Sequence, residues 1–216
     1  MKTIIFFDTE TTGIPLYNKP SNDPGQPYIT ELAAQLCVEE TGEVLGAMNV
    51  LIRPHGWEIP DEIQTLTGIT MDLARRAGVP MEFALELFLN LWRNADMRCA
   101  HGEPFDMRLV RIALKRDEVY ATENIRGEDG LQIPFADYWK DAPRFCTIAA
   151  STKILNLPPT EKMVAAKRTG PKSPNLSEAY EFFTGMPLEG AHRAMVDVDA
   201  CKAVYYGIKK HHAQAE

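Results

Sequence analysis

The chain has 216 residues, 45% of them hydrophobic, and a net charge of −7. Such a length and composition suit one domain of good size with an ordinary core. The acidic balance excludes a broad basic nucleic-acid-binding face, but leaves room for a narrow site where metal ions carry the positive charge.

No stretch of ~20 apolar residues marks a membrane span. The first apolar run, Ile4 to Phe7, meets Asp8 at once, which is not the pattern of a signal peptide. Cys37, Cys99, Cys146 and Cys201 are far apart and include no Cys-x-x-Cys pair. They read as reduced core thiols of a cytoplasmic protein.

In chain order, Ile4-Ile5-Phe6-Phe7 reads as a short strand buried on both faces. It runs into Asp8-Thr9-Glu10-Thr11-Thr12-Gly13. Asp8 and Glu10 are two residues apart, so in an extended chain their carboxylates point to the same side. Converging carboxylates repel unless something positive sits between them, and oxygen ligands suit Mg²⁺ or Mn²⁺. The bland alternative is a strand end with two solvated acids.

A Pro/Asn/Gly-rich loop follows over 15–27. Segments 28–38 and 44–52 read as a hairpin around Thr41-Gly42, lying beside the first strand. A helix starts at Pro60, and its piece ends at Thr67-Gly68-Ile69-Thr70. Residues 80–94 form a helix apolar over most of its surface (Phe83, Leu85, Leu87, Phe88, Leu91, Trp92) and expected to be largely buried. A strand at 97–101 leads into a helix opened by Gly102-Glu103-Pro104-Phe105-Asp106, with Leu109, Val110, Ala113 and Leu114 inward.

Residues 117–145 are irregular in pattern and read as an insertion packed on the core. Residues 147–155 are helical. Residues 160–174 concentrate Lys162, Lys167, Arg168 and Lys172. Such a segment is usually solvated surface; beside a metal site, Lys167 and Arg168 are placed to hold a phosphodiester backbone. A helix over 176–184 is capped by Asn175 and ended by Gly185. The last helix, 193–210, carries Val198, Cys201, Tyr205 and Ile208 on one stripe. Strands first, then strands alternating with helices, indicate an α/β domain with a mixed sheet flanked by helices.

Two later positions concern the acids. Asp106 sits in the first turn of its helix, where a dipole-favoured acid is the ordinary reading. His192 and Asp197 are five residues apart, a rotation of roughly 140° on a helix. They converge only if His192 lies on the loop behind Gly190 and Asp197 lies in the helix that follows.

Taken together, Phe7-Asp8-x-Glu10-Thr11-Thr12-Gly13, Phe105-Asp106 after a strand, and His192-x-Ala194-x-x-Asp197 resemble the three motifs of the DEDDh exonucleases. These are the DnaQ-like 3′–5′ exonucleases of the RNase H-like superfamily, which include the proofreading subunit of bacterial DNA polymerase III. The similarity spans nearly the whole chain, including Ile59-Pro60 and Thr67-Gly68-Ile69-Thr70. It implies a single exonuclease domain over 1–216 with an RNase H-like five-stranded mixed sheet flanked by α-helices.

The resemblance also implies that Asp8, Glu10, Asp106 and Asp197 hold two Mg²⁺ or Mn²⁺ ions and that His192 is the general base. It implies release of nucleoside 5′-monophosphates from 3′ ends of single-stranded DNA. The terminal base is expected to pack on Ile69 and on backbone around Thr11 and Thr12.

There are departures. His101-Gly102-Glu103-Pro104 stands where the family often has His-Asn-Ala before Phe-Asp, and Glu103 adds negative charge near the expected path of substrate phosphate. The family's His-Gly-Ile is Thr67-Gly68-Ile69 here. No second domain or polymerase-binding tail follows Glu216, so a freestanding enzyme is expected. The motifs leave three rivals open: an RNA 3′–5′ exonuclease of oligoribonuclease type, a phosphodiesterase for small nucleotides, and a catalytically silent nucleic-acid-binding module. The last predicts a lost acid, and none is lost. A polymerase or repair partner and the oligomeric state are not specified by these residues.

Overall fold

A computed structural model describes residues 1–126 and 130–215 of the chain. Thr3–Thr11 is strand β1; Ile29–Val38 (β2) and Val44–Leu51 (β3) form the expected hairpin. Three helices follow, α1 (Asp61–Thr67), α2 (Met71–Ala77) and α3 (Met81–Trp92), and then β4 (Met97–Ala100) and α4 (Glu103–Arg116). Beyond them come β5 (Asn124–Arg126), β6 (Gln132–Pro134), α5 (Phe135–Asp141) and β7 (Arg144–Cys146). The chain closes with α6 (Thr147–Leu155), α7 (Glu161–Ala165), α8 (Leu176–Thr184) and α9 (Ala194–Ala215).

The main sheet has five strands in the order β3-β2-β1-β4-β7. β1 is antiparallel to β2 and parallel to β4, and β4 is parallel to β7. This is the mixed sheet of the RNase H-like fold.

β1 is central because its side chains alternate between two cores. Ile5 and Phe7 point to the core built by α3, α4 and α5, where Phe7 meets Phe88 and Trp139 at ring centroids 5.5 and 5.7 Å away. Ile4 and Phe6 point to the α9 core with Val198, Cys201 and Tyr205. The expected stripe of α9 is therefore what covers this face of the sheet.

Local signals set the helix ends. Gly68 ends α1 in the left-handed conformation, and Thr70 caps α2 by accepting from the Leu73 N–H. Asn175 and Glu178 form a reciprocal capping box on α8, and Gly185 ends it. Gly102, at φ 98°, makes the one-residue left-handed turn that starts α4 directly at the end of β4. That turn puts Asp106 beside the sheet.

The structure adds two short helices, α2 and α7, that the sequence reading did not anticipate, and it differs from that reading in three further places. The α3 helix is one-sided: Phe83 and Leu87 are exposed, while Ala84, Leu85, Phe88, Leu89 and Trp92 face the core. The 117–145 segment contains a small hairpin, α5 and most of the edge strand β7. Its Phe135, Ala136 and Trp139 are core residues. Residues 127–129 of that segment lie outside the described residues. No helix among the described residues is long and apolar enough to cross a membrane.

The third difference is Glu103. It does not face a substrate path; it is fully buried under the first turn of α4. Arg98, fully buried on β4, donates from Nε to Glu103 Oε1 at 2.6 Å and lies over the Trp139 ring at 4.3 Å. Its other nitrogens donate to the carbonyls of Trp139 and Lys140, tying the end of α5 to the sheet. Removing one partner of a buried pair leaves an uncompensated charge. Glu103→Ala is expected to lower stability by about 3 kcal/mol in denaturant unfolding; a midpoint equal to that of the unaltered protein would show that the pair has no structural weight.

Candidate active site

The site forms where β1 ends between the first turns of α4 and α9. The alternation that sends Ile4 and Phe6 toward α9 continues through Asp8 and Glu10. Asp197 faces them from the first turn of α9. One ligand atom each from Glu10, His192 and Asp197 lie within 4.8 Å of one another.

Thr9 points to the other side of β1, toward α4. Its hydroxyl donates to Asp106 Oδ1 at 2.7 Å, and its backbone N–H donates to the same oxygen at 3.1 Å. Both hold the Asp106 carboxylate beside Asp8. Sequence reasoning passed over Thr9 as the filler between two acids. Its signal was the same alternation: a hydroxyl on the face opposite the acids must bond to whatever packs there.

His192 lies outside α9, as the five-residue offset required. It adopts a left-handed conformation at φ 69°, and its backbone N–H donates to Asp197 Oδ2 at 3.1 Å. The ring itself is exposed.

A second unanticipated pair holds this corner. Glu31, on β2, is the register partner of Glu10 and is buried. It accepts from Arg193 Nε and Nη2 at 3.1 and 2.9 Å and from the Ala194 N–H at 3.1 Å. The α9 N-terminus and the His192 loop are thereby fastened to the strand next to Glu10.

The electrostatics are those of crowded acids. Burial first, then the carboxylates of Asp106, Asp197 and Glu10, hold the Asp8 carboxyl well above its ordinary range. Burial, with Asp197, Glu31 and Asp106, pushes Glu10 up to about 8, against a lowering by Arg193. Burial pushes Asp106 up to about 7 despite the two bonds from Thr9. Asp197 is also raised by burial, with the His192 N–H opposing. Asp197 Oδ1 is buried and has no hydrogen-bond partner among the described residues. An oxygen in that state, beside carboxyls whose ionisation is opposed by burial and by one another, fits a hard divalent cation.

The remaining expected contacts are placed as follows. Thr11 and Thr12 shape the turn: the Thr11 hydroxyl donates to the Gly13 carbonyl at 2.7 Å, and Thr12 Oγ1 accepts from the Tyr28 N–H at 2.9 Å. Ile69 is fully buried against Ile59 and Ala74, so its side chain has no surface to give a base. Lys167 and Arg168 are exposed just after α7, and neither forms an ion pair with a site acid among the described residues. His101, kept neutral by burial with its titration lowered to about 4, donates from Nε2 to the Pro174 carbonyl at 3.3 Å. Its Nδ1 accepts from Thr147 Oγ1 at 2.8 Å, so the ring fastens the end of β4 to the loop before α8.

The fold is shared with solved structures of exonuclease I, including that of E. coli. The complex with a dT13 oligonucleotide is 20% identical with a TM-score of 0.70, over 100% of this chain and 42% of that one. The product-bound structure is 20% identical with a TM-score of 0.66, over 97% and 44%. The ExoI/SSB-Ct complex is 19% identical with a TM-score of 0.67, over 99% and 42%. The chain thus spans about two-fifths of the length of those proteins. Comparison with curated protein sequences gave no match. A sequence model of the RNase T exonuclease family matches residues 5–205, which include all four acids and His192. The chain therefore belongs to the RNase T exonuclease family, among the DnaQ-like members of the RNase H-like superfamily.

Proposed function

We propose that the chain is a divalent-metal-dependent 3′–5′ exonuclease that releases nucleoside 5′-monophosphates from single-stranded DNA. The observation that carries this is the convergence of Glu10, His192 and Asp197 beside Asp8, with a buried Asp197 oxygen that has no hydrogen-bond partner among the described residues. The fold shared with a DNA-bound exonuclease I supports the choice of polymer.

In this reading Asp8, Glu10 and Asp197 would hold one Mg²⁺ or Mn²⁺, and Asp8 with Asp106 would help to hold a second. Bound there, divalent ions polarise the attacking water and offset the charge that builds on the phosphate. His192 accepts the proton of that water. Its backbone is fixed by Asp197 while its ring stays open to solvent, so the proton has an exit. Thr9 keeps Asp106 in its place, and Glu31 keeps the His192 loop in its own.

Protons and metal compete for the same oxygens. Carboxyls that titrate higher in the folded than in the unfolded chain favour folding while protonated. Their contribution is complete below the ordinary carboxylate range of about 4, and is lost as pH rises through about 7 for Asp106 and about 8 for Glu10. A cation that binds only the ionised, folded site restores it. Thermal melts in EDTA and in excess Mn²⁺ are therefore expected to diverge more at about pH 8 than at about pH 5. Identical melts with and without metal at both values would remove the metal site.

A 5′-labelled single-stranded DNA oligomer should shorten from its 3′ end with Mg²⁺ or Mn²⁺ and stay intact in EDTA. Asp8→Ala is expected to abolish turnover with an unchanged circular dichroism spectrum. His192→Ala is expected to lose ~10²–10⁴-fold in rate. Full activity in Asp8→Ala would refute the assignment, and a matched RNA oligomer in the same assay decides the sugar.

A further inference from the structure

We infer that Trp57 is a stacking face for the base of an unpaired nucleotide lying 5′ to the one being removed. This rests on the exonuclease reading of the neighbouring acids.

The aromatic side chains of Tyr28 and Trp57 are stacked, with ring centroids 4.9 Å apart and planes 8° from parallel. The Arg116 guanidinium carbon lies 4.0 Å from the Tyr28 centroid. Two groups that close to one ring cannot share a face, so Tyr28 is sandwiched and Trp57 is the outer member. The stack is braced: Arg116 also donates to the carbonyls of Pro27, at 2.7 Å, and of Gln26. Trp92 and Trp139 are core residues, whereas Trp57 is half-buried and borders two cavities of about 800 and 360 Å³.

The smaller cavity connects this stack to the acids. Its wall includes Thr12, Gly13 and Ile14, the residues by which the chain leaves Glu10. The Thr12 N–H donates to the Tyr28 carbonyl at 2.9 Å, and the Tyr28 N–H donates back to Thr12 Oγ1 at 2.9 Å. The aromatic stack is thus stapled to the end of the catalytic strand. A cavity near 360 Å³ is of the size that takes one nucleotide-sized ligand.

The larger cavity is lined by Arg53 and Arg116 and by Glu82, Asp117 and Glu118. Such mixed charge gives little attraction for phosphate. Trp57 packs in part against the main core and against the Ile59–Ile69–Ala74 cluster, and the surface it keeps toward the two cavities is the available aromatic contact. Every base has a π-face, so stacking tolerates any sequence, as an enzyme that moves along a strand requires. A base in a duplex has its faces covered by neighbours, so the contact favours unpaired substrate.

The test compares a short oligothymidylate with the p-nitrophenyl ester of thymidine 5′-monophosphate, which has no second nucleoside. Trp57→Ala is expected to raise KM for the oligomer about 5- to 150-fold, with kcat retained and kcat/KM for the ester unchanged. Trp57→Phe, which keeps a π-face and guards against misfolding, should stay within a few-fold of the unaltered protein. Equal loss on both substrates, or no loss on the oligomer, would overturn the proposal. A readout independent of turnover is the intrinsic fluorescence of the unaltered protein in EDTA. Saturating oligothymidylate should quench it, and Trp57→Phe should abolish the quench. An unquenched signal refutes the stacking even if the protein cleaves DNA; a quench without any cleavage keeps the stacking and removes the exonuclease reading.

Discussion

Four carboxylates gathered where one strand ends repel one another, and much of the structure answers that repulsion. Two unit charges 4 Å apart at an effective dielectric constant of about 20 interact by on the order of 4 kcal/mol. Asp8, Glu10, Asp106 and Asp197 therefore cannot all ionise together without a counterion. A flexible frame would let them drift apart. β1 cannot drift, because Ile4 to Phe7 are fully buried between two cores. The mixed sheet thus has a functional reason: it keeps one strand immobile while helices from both faces bring their first turns to its end.

Charge pairs behind the acids hold the two approaching helices. Arg98 and Glu103 lie under the start of α4, three residues before Asp106. Glu31 and Arg193 lie at the start of α9, beside His192 and four residues before Asp197. In both cases a buried acid is neutralised by an arginine and fixes a helix N-terminus, where the backbone N–H groups also favour negative charge. Asp8, Glu10, Asp106 and Asp197 form no such ion pair among the described residues, which in the proposed reading leaves their oxygens for a cation. The same separation explains how a chain with net charge −7 reads as a nuclease: positive charge is needed at the point of chemistry, and stacking needs none.

Much of this was legible in the residues. Strand β1, the β2–β3 hairpin, the α8 caps and the buried stripe of α9 follow from periodicity and capping chemistry, which act over a few residues. The loop position of His192 follows from helix geometry, since no single helix face carries both His192 and Asp197. The acids were found because their spacing repeats a family pattern. Thr9, Glu31 and Arg193 were missed because their partners are distant in sequence, 97 residues for Thr9 with Asp106 and 162 for Glu31 with Arg193.

The same limit explains the readings that changed. Residues 117–145 lack periodicity because β5, β6 and β7 have three residues each, too few for a pattern. Glu103 looked like a surface charge because its buried neighbour Arg98 belongs to a strand otherwise read as apolar. Ile69 looked free for a base because the Ile59 and Ala74 that cover it are joined only by tertiary packing. The sequence by itself determined which chemistry is present and on which kinds of element, since periodicity, capping and motif spacing are local. Tertiary structure alone decided which acids are paired with an arginine and which are crowded together without one, since burial and charge pairing depend on residues that meet only in the folded chain.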